Sequence, residues 1–196
     1  MQIFSAATAA PTCRDDNNAV VEVRPMGLAD LSAVLEIQAA CYTQIVPESL
    51  ESYVAKLMAA PGSCFIAEIE RRTIGYLVAV PSDFANPPQL NQTYWRLPEW
   101  PDCLYLHDLA VAPSARATGA GRALVDAFFA HLHQSELPRA SLIAIQDSAP
   151  YWQRRGFQAV PLADTLRTRL ASYGRDVQYM QFAVNDRPAG RDSSDS

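Results

Sequence analysis

The sequence is short of lysine. Lys56 is the only lysine among 16 basic residues, so arginine supplies nearly all of the positive charge. Acidic residues number 21, and the formal net charge is −5. A chain with this balance has little attraction for the phosphate backbone of nucleic acids, which argues against nonspecific binding to them. The same charge is compatible with a cationic substrate.

Cysteine and histidine are too few and too dispersed to indicate a metal site. None of them forms a C-x-x-C pair or a spacing typical of metal ligands: Cys13, Cys41, Cys64, Cys103, His107, His131 and His133. We therefore expect no bound metal. We expect the cysteines to be free thiols in a reducing compartment.

Long apolar runs are also absent. No run approaches the ~20 residues that a membrane-spanning helix needs. Residues 1–13 lack the basic start and the long apolar core of a signal peptide. The expectation is a cytoplasmic protein that does not bind a membrane.

The length of 196 residues is typical of one domain with a buried core. We expect residues 1–18 and 185–196 to be disordered and residues 19–184 to form a single domain. Apolar periodicity predicts these strands and helices in chain order: strand Val20–Arg24, helices Leu28–Ala40 and Glu48–Ala59, strands Cys64–Ile69, Thr73–Val80 and Leu104–Val111, helix Gly119–Gln134, strand Ala140–Ile145, helix Ala149–Arg155, strand Gln158–Val160, helix Leu162–Ser172 and strand Val177–Val184.

The segment 81–102 holds five prolines and is predicted to be an ordered loop. Its aromatic residues Tyr94, Trp95 and Trp100 are candidates to wall a site for an aromatic or cationic acceptor. A solvated loop whose aromatic side chains pack on the core is the alternative.

The stretch Arg116-Ala-Thr-Gly119-Ala-Gly121-Arg122 joins a predicted strand to a predicted helix. Loop amides and first-turn amides have no partners within the helix, and the helix dipole adds positive potential, so this segment suits a phosphate group. It matches neither the dinucleotide-binding G-x-G-x-x-G pattern nor the P-loop pattern. We interpret it as a cradle for a pyrophosphate.

Val111-Ala-Pro113, followed by that stretch, resembles the acetyl-CoA-binding motif of the GNAT N-acetyltransferase superfamily. A second motif, Ser148-Ala-Pro-Tyr-Trp-Gln-Arg-Arg-Gly156-Phe157, resembles the short helix of the same family that ends in Gly-Phe. The resemblance covers about Val20 to Val184. It implies an α/β (α+β) fold with a mixed, mostly antiparallel central sheet, splayed at the CoA site and flanked by helices.

The resemblance also implies an acyltransferase that uses acetyl-CoA as co-substrate. It assigns cofactor binding to these positions: Leu109, Ala110, Val111, Arg116, Ala117, Thr118, Gly119, Ala120, Gly121, Arg122, Ser148, Tyr151 and Trp152. Members of the family are often dimers, so a homodimer is a further expectation.

Leu-His-Asp-Leu-Ala-Val, residues 106–111, resembles the arylalkylamine-type members, in which a histidine stands at the position of His107. Its ordinary pKa suits a general base at neutral pH. A core histidine and a substrate-positioning histidine are the alternatives. Strand alternation places Tyr105 on the face of His107 and Asp108 on the opposite face, where we expect an arginine or amide partner for Asp108.

The family's usual proton donor to the leaving thiolate is a tyrosine at the position that Trp152 occupies here, and an indole cannot serve as an acid. The candidates for this proton donor are Tyr179, Ser148 and Tyr151. The alternative is that no side chain acts as the acid, because a thiolate needs little help to leave. A backbone N–H near Leu109 is where the family polarises the acetyl carbonyl.

The favoured function is acetyl transfer from acetyl-CoA to the primary amine of a small molecule, with His107 and Tyr179 as catalytic residues. A protein or peptide N-acetyltransferase is one alternative. A non-catalytic sensor that binds acyl-CoA is the other.

Overall fold

A computed structural model describes residues 20–42, 47–93, 96–145, 147–161 and 177–184. Its helices and strands follow the chain in this order: β1 Glu22–Pro25, a 3-10 turn Leu28–Asp30, α1 Leu31–Cys41, α2 Leu50–Ala59, β2 Cys64–Ile69, β3 Arg72–Ser82, β4 Cys103–Val111, a 3-10 turn Pro113–Ala115, α3 Ala120–Gln134, β5 Arg139–Ala144, α4 Ala149–Gln153, β6 Gln158–Ala159 and β7 Gln178–Ala183.

The strands form one sheet in the order β1-β2-β3-β4-β5-β7-β6. Only β4 and β5 run parallel, and every other pair is antiparallel. The parallel pair is joined through α3, because parallel neighbours need a crossover. The expected mixed, mostly antiparallel sheet flanked by helices is therefore confirmed.

The predicted strands and helices agree with these bounds except at their ends. The first helix starts later than predicted, since Leu28–Asp30 is a 3-10 turn. The predicted helix Leu162–Ser172, both terminal segments, Tyr94 and Trp95 lie outside the described residues.

Two apolar layers cover the sheet. Leu124, Phe128 and Leu132 of α3 are fully buried against one face. Val34 of α1 and Leu57 of α2 are buried against the other face. In this arrangement the C-terminal end of α1 and the segment that enters α2 lie next to β4, where the candidate site forms.

Helix α2 begins at a regular cap and turns an unexpected side chain inward. The Ser49 hydroxyl accepts a hydrogen bond from the Ser52 amide, which satisfies one first-turn donor. Lys56 follows Tyr53 by three positions, so both lie on the buried side of the helix. A charged side chain therefore occupies a place in the core.

Strand β4 carries one extra residue opposite β3. Val78 pairs with Asp108, whereas the next residue, Ala79, pairs with Leu106. His107 is therefore the bulged residue, and bulges of this kind re-aim side chains. Beyond the bulge, β4 also leaves β5, since their pairing covers only Leu104–Leu106 of β4. The expected splay is thus confirmed.

The structure also describes the cysteines and the apolar character of the helices. The described cysteines, Cys41, Cys64 and Cys103, are free thiols. Across the described ranges, no helix has both the length and the apolar character needed to cross a membrane.

Gly75 of β3 allows the close approach of β4, which gives a test of the packing. A Cβ atom at this position would lie 3.0 Å from the Ala110 carbonyl oxygen and 3.3 Å from a methyl carbon of Leu124. We expect Gly75→Ala to lower the free energy of unfolding by about 1–3 kcal/mol. Gly62→Ala is the control, because its Cβ would meet only one ordinary contact at 3.7 Å. Equal denaturation midpoints for the two variants would contradict this packing.

Candidate functional site

A cavity of about 360 Å³ lies where β4 and β5 separate. Side chains and backbone from both strands, from α1 and from α4 line it. It brings together many of the predicted site residues: His107, Leu109, Ala110, Val111, Arg116, Ser148, Tyr151 and Trp152. Gln38, Tyr42 and Glu48 are among the lining residues that were not predicted to belong to the site.

The backbone of β4 is open toward this cavity. The Leu109 carbonyl accepts from the Tyr42 hydroxyl at 3.3 Å, and the Val111 carbonyl accepts from the Cys41 thiol at 3.3 Å. The N–H and C=O groups of one strand residue point to the same edge. The Leu109 N–H therefore faces the edge that β5 has left, where it is available to a carbonyl oxygen.

His107 contacts a buried carboxylate. Its Nε2 atom lies 2.9 Å from Glu48 Oε2, and the two side chains are only 1% and 5% exposed. The Tyr105 ring lies 5.8 Å from the imidazole, centroid to centroid. The prediction that Tyr105 and His107 share a face is thus confirmed.

Glu48 also holds the buried lysine. Lys56 Nζ donates to both Glu48 oxygens, at 2.8 and 3.0 Å, and to the Ser52 hydroxyl at 2.6 Å. Burial alone would raise the pKa of Glu48, but His107 and Lys56 together hold it well below its ordinary value. Burial lowers the pKa of Lys56, and Glu48 opposes that shift. Glu48 is therefore an ionised carboxylate throughout the neutral range.

Gln38 of α1 fixes the segment that carries Glu48. Its amide nitrogen donates to the Glu48 carbonyl at 3.0 Å, and its amide oxygen accepts from the Glu48 N–H at 2.9 Å. The amide oxygen also lies 2.8 Å from the Tyr53 hydroxyl. The backbone entering α2 is thereby held against β4.

Asp108 is surrounded by tyrosine hydroxyls. Tyr42 donates to Oδ1 at 2.5 Å, while Tyr76 and Tyr53 lie 2.7 Å from Oδ2. The expectation of an arginine or amide partner was wrong. So was its placement opposite His107, because the bulge at His107 breaks the strand alternation and directs both side chains toward α1 and α2.

The glycine-containing loop has a backbone suited to an anion. Gly119 adopts φ +89°, a conformation that favours glycine, and α3 begins at the next residue. The amides of the first turn have no partners within the helix. A Cβ at Gly121 would meet only an ordinary 3.7 Å contact with Val111. Of this stretch, only Arg116 is among the residues that line the cavity.

The candidates for a proton donor differ in position. Ser148 and Tyr151 line the cavity, whereas Tyr179 does not; its hydroxyl donates to the Phe84 carbonyl at 2.8 Å. Burial raises the pKa of Tyr179, which further weakens it as an acid. Trp152 packs edge-on against Tyr151 and Phe157. The geometry therefore favours Ser148 and Tyr151 over Tyr179 as groups within reach of a leaving group in the cavity.

Sequence reasoning missed Tyr42, Glu48 and Lys56 because their roles depend on contacts between distant segments. One local signal existed for Lys56, namely its helical spacing from Tyr53 on an apolar face. Within the parts of the chain that the structure describes, no group of three or more His, Cys, Asp or Glu side chains is arranged to hold a metal ion.

Comparison with known proteins identifies the family of this chain. The sequence model described as "Acetyltransferase (GNAT) family" matches residues 31–157. No protein of curated function matches the chain in sequence.

Several solved structures share the fold. The ribosomal-protein-S18-alanine N-acetyltransferase from Escherichia coli is 16% identical with a TM-score of 0.60, and the match covers 88% of this chain and 98% of that one. N-acetylglutamate synthase from Neisseria gonorrhoeae, complexed with coenzyme A and N-acetyl-glutamate, is 18% identical with a TM-score of 0.63, and the match covers 86% of this chain and 36% of that one. The loading GNATL domain of CurA from Lyngbya majuscula is 13% identical with a TM-score of 0.66, and the match covers 84% of this chain and 98% of that one. Likeness at these identities shows the fold alone.

The tyrosine cluster predicts an unusual alkaline titration. Burial, reinforced by Asp108, raises the pKa values of Tyr42, Tyr53 and Tyr76, and burial raises that of Tyr179. Because the folded pKa values exceed the unfolded value near ~10, their stabilisation is complete below that pH and is lost as pH rises through the folded values.

We therefore expect at least four of the eight tyrosines to stay protonated in the folded protein at pH 11 and to ionise only on unfolding. Absorbance at tyrosinate wavelengths measures this directly. In the Tyr76→Phe variant, one fewer tyrosine should ionise on unfolding. Full ionisation of all eight before the fold is lost would contradict the cluster.

Proposed function

Because the chain belongs to the Acetyltransferase (GNAT) family and is therefore an acyltransferase, we propose that it moves an acetyl group from acetyl-CoA to the primary amine of a small molecule, with His107 as general base. The observation that supports this most strongly is the cavity that joins His107 to the open edge of β4. Membership of an acyltransferase family leaves the sensor alternative without support.

The residues present fit a CoA thioester. The loop preceding α3 would hold the pyrophosphate through its amides and Arg116, since Gly119 supplies the left-handed backbone and Gly121 keeps the first turn free of a side chain. Leu109–Val111 and α4, with Ser148, Tyr151 and Trp152, would flank the pantetheine arm. When bound, acetyl-CoA supplies an acetyl group whose C–S bond breaks as a C–N bond forms.

His107 would remove a proton from the acceptor amine. An alkyl amine with a pKa near ~10.4 is mostly protonated at pH 7, and making it a nucleophile costs about 4–5 kcal/mol. A base within reach, directly or through a water molecule, offsets part of that cost. Glu48 orients the imidazole from the side of α2.

The Leu109 N–H would stabilise the developing negative charge on the acetyl oxygen. Loss of the thiolate would proceed without a side-chain acid, because a thiol pKa near ~8.5 makes it a good leaving group. Tyr42 lines the cavity, but burial and Asp108 raise its pKa, which makes its hydroxyl a poor proton donor.

A small acceptor is favoured over a peptide by the anchoring of the proline-rich loop. The Asn91 N–H donates to Glu48 Oε1 at 2.8 Å, and the Asn91 side chain accepts from the Ser49 N–H at 2.9 Å. Phe84 packs on the Tyr179 ring at 5.1 Å. The Asn91 contacts hold this part of the loop against the start of α2, and the neighbouring Leu90 lines the cavity, which favours an enclosed site over an open groove. A protein acceptor, as the Escherichia coli neighbour's name describes for that enzyme, is the second candidate.

The pyrophosphate cradle is tested by Gly121→Val. The Cβ atom that the substitution adds would meet only an ordinary 3.7 Å contact with Val111, so folding should be retained. It would block close approach of a phosphate, and we expect CoA affinity measured by calorimetry to fall at least 100-fold. An unchanged thermal midpoint is the control. Unchanged CoA affinity would mean that the phosphate site lies elsewhere.

The base is tested by His107→Gln with a panel of arylalkylamines, polyamines, amino acids and peptides. Thiol release from acetyl-CoA should fall by about 10²–10⁴-fold for the best acceptor, while CoA affinity stays the same. His133→Gln is the matched control, since this histidine is exposed on the last turn of α3. Full activity of the His107 variant would refute its role as base. Turnover with peptides alone would favour the second candidate.

A further inference from the structure

The structure buries a complete charge pair immediately behind His107. Lys56 is 0% exposed, and it is the only lysine in the sequence. Desolvating an ammonium group is costly unless a partner compensates, and a well-packed apolar residue would avoid that cost. A buried charge beside the proposed base is therefore a candidate for a role in the reaction.

We propose that Lys56 is a positioning residue for the reaction, which acts through Glu48 to keep His107 able to release its proton at neutral pH. The proposal rests on the proposed function, in which His107 is the general base. It adds a residue that touches neither substrate.

One carboxylate oxygen connects the two groups. Glu48 Oε2 lies 2.9 Å from His107 Nε2 and 2.8 Å from Lys56 Nζ. The other oxygen accepts from Lys56 at 3.0 Å and from the Asn91 N–H at 2.8 Å. The carboxylate that faces the imidazole is therefore already paired with a fixed positive charge.

That pairing changes what the carboxylate does to the histidine. A lone buried carboxylate beside an imidazole stabilises the protonated form, and a protonated base accepts nothing. An ammonium bound to the same carboxylate oxygen offsets part of that attraction. Glu48 can then orient His107 by a hydrogen bond without holding a proton on it.

Other titratable or charged groups line the same cavity or contact a neighbour of His107. Tyr105 and Asp108 lie on its own strand, Cys41 ends α1 and Tyr42 follows it, Tyr53 of α2 contacts Asp108, Arg116 comes from the loop preceding α3, and Tyr151 comes from α4. None of these changes when Lys56 is replaced. A comparison of variants therefore isolates the effect of the lysine.

The test is Lys56→Met in the full chain, with two readouts. The first is the titration midpoint of the His107 imidazole, followed by NMR in the absence of substrates and assigned with His107→Gln. We expect this midpoint to rise by about one pH unit. The second is the pH profile of kcat/KM, whose acidic limb should move by the same amount. Well below both midpoints the rate should then fall about tenfold, while the fall at pH 7 should be smaller and the rate should recover at higher pH.

Glu48→Gln should have the opposite effect, because it removes the anion and leaves the cation. The double variant Glu48→Gln, Lys56→Met removes both charges, so its midpoint should return to near that of the unmodified protein. If Lys56→Met alone does not fold, the comparison of Glu48→Gln with the double variant still measures the lysine. The double variant should titrate at higher pH than Glu48→Gln.

The stability of Lys56→Met supplies an independent check. If His107 binds its proton more tightly in the variant than in the unmodified protein, protonation stabilises the variant's fold as pH falls, and that stabilisation is lost as pH rises. The stability deficit of Lys56→Met should therefore be smaller at pH 6 than at pH 9.

The outcomes separate the two proposals. An unmoved His107 midpoint in Lys56→Met, or equal midpoints in Glu48→Gln and the double variant, would overturn the role of Lys56 whatever the activity. A midpoint that moves as expected while the acidic limb of kcat/KM stays in place would overturn His107 as the base. Movement of both together supports both proposals.

Discussion

The insertion of one residue into β4 is the constraint from which the site follows. With His107 bulged out of register, Asp108 takes the position opposite Val78, and both side chains point toward α1 and α2. Just before the bulge, the pairing with β5 ends. A regular strand would have kept the backbone in its ladder and divided the two polar side chains between opposite faces of the sheet. The irregularity thus exposes main-chain groups and collects side chains in the same place.

What surrounds the bulge is an unusually polar interior, and it is tolerated because its members satisfy one another. Glu48 is bonded by groups from three separate segments, and Asp108 lies against hydroxyls from α1, α2 and β3. Removing one member of such a cluster is more damaging than replacing all of it, since the remaining charge is left buried without compensation. The cluster also limits how α1, α2 and the proline-rich loop can meet, because each segment must deliver its donor to the same few oxygens.

The sequence was informative wherever the relevant chemistry is local. Alternation and helical spacing predicted the order of strands and helices, and the stretch from Arg116 to Arg122 predicted the loop that leads into α3. It misled where register mattered, as for Asp108, because no local pattern marks the extra residue in β4. Glu48 was invisible for a similar reason: a glutamate before a helix is ordinarily a solvated capping residue, and only the packing of α1 and α2 turns it inward. The catalytic role of Tyr179 stays a prediction that the geometry does not favour, since its hydroxyl donates to the Phe84 carbonyl and it is not among the residues that line the cavity.

The burial of Lys56 has a chemical consequence for the protein as a whole. Thioesters acylate exposed amines without assistance, and the lysine side chains of a protein are their usual targets. The only ε-amine in this sequence, that of Lys56, is buried in the core and bound to Glu48 and Ser52 as an ammonium ion. The arginine side chains carry guanidinium groups, which do not react in this way. The folded chain therefore offers no lysine for self-acylation, and reagents that label lysine should modify this side chain only after the fold is lost.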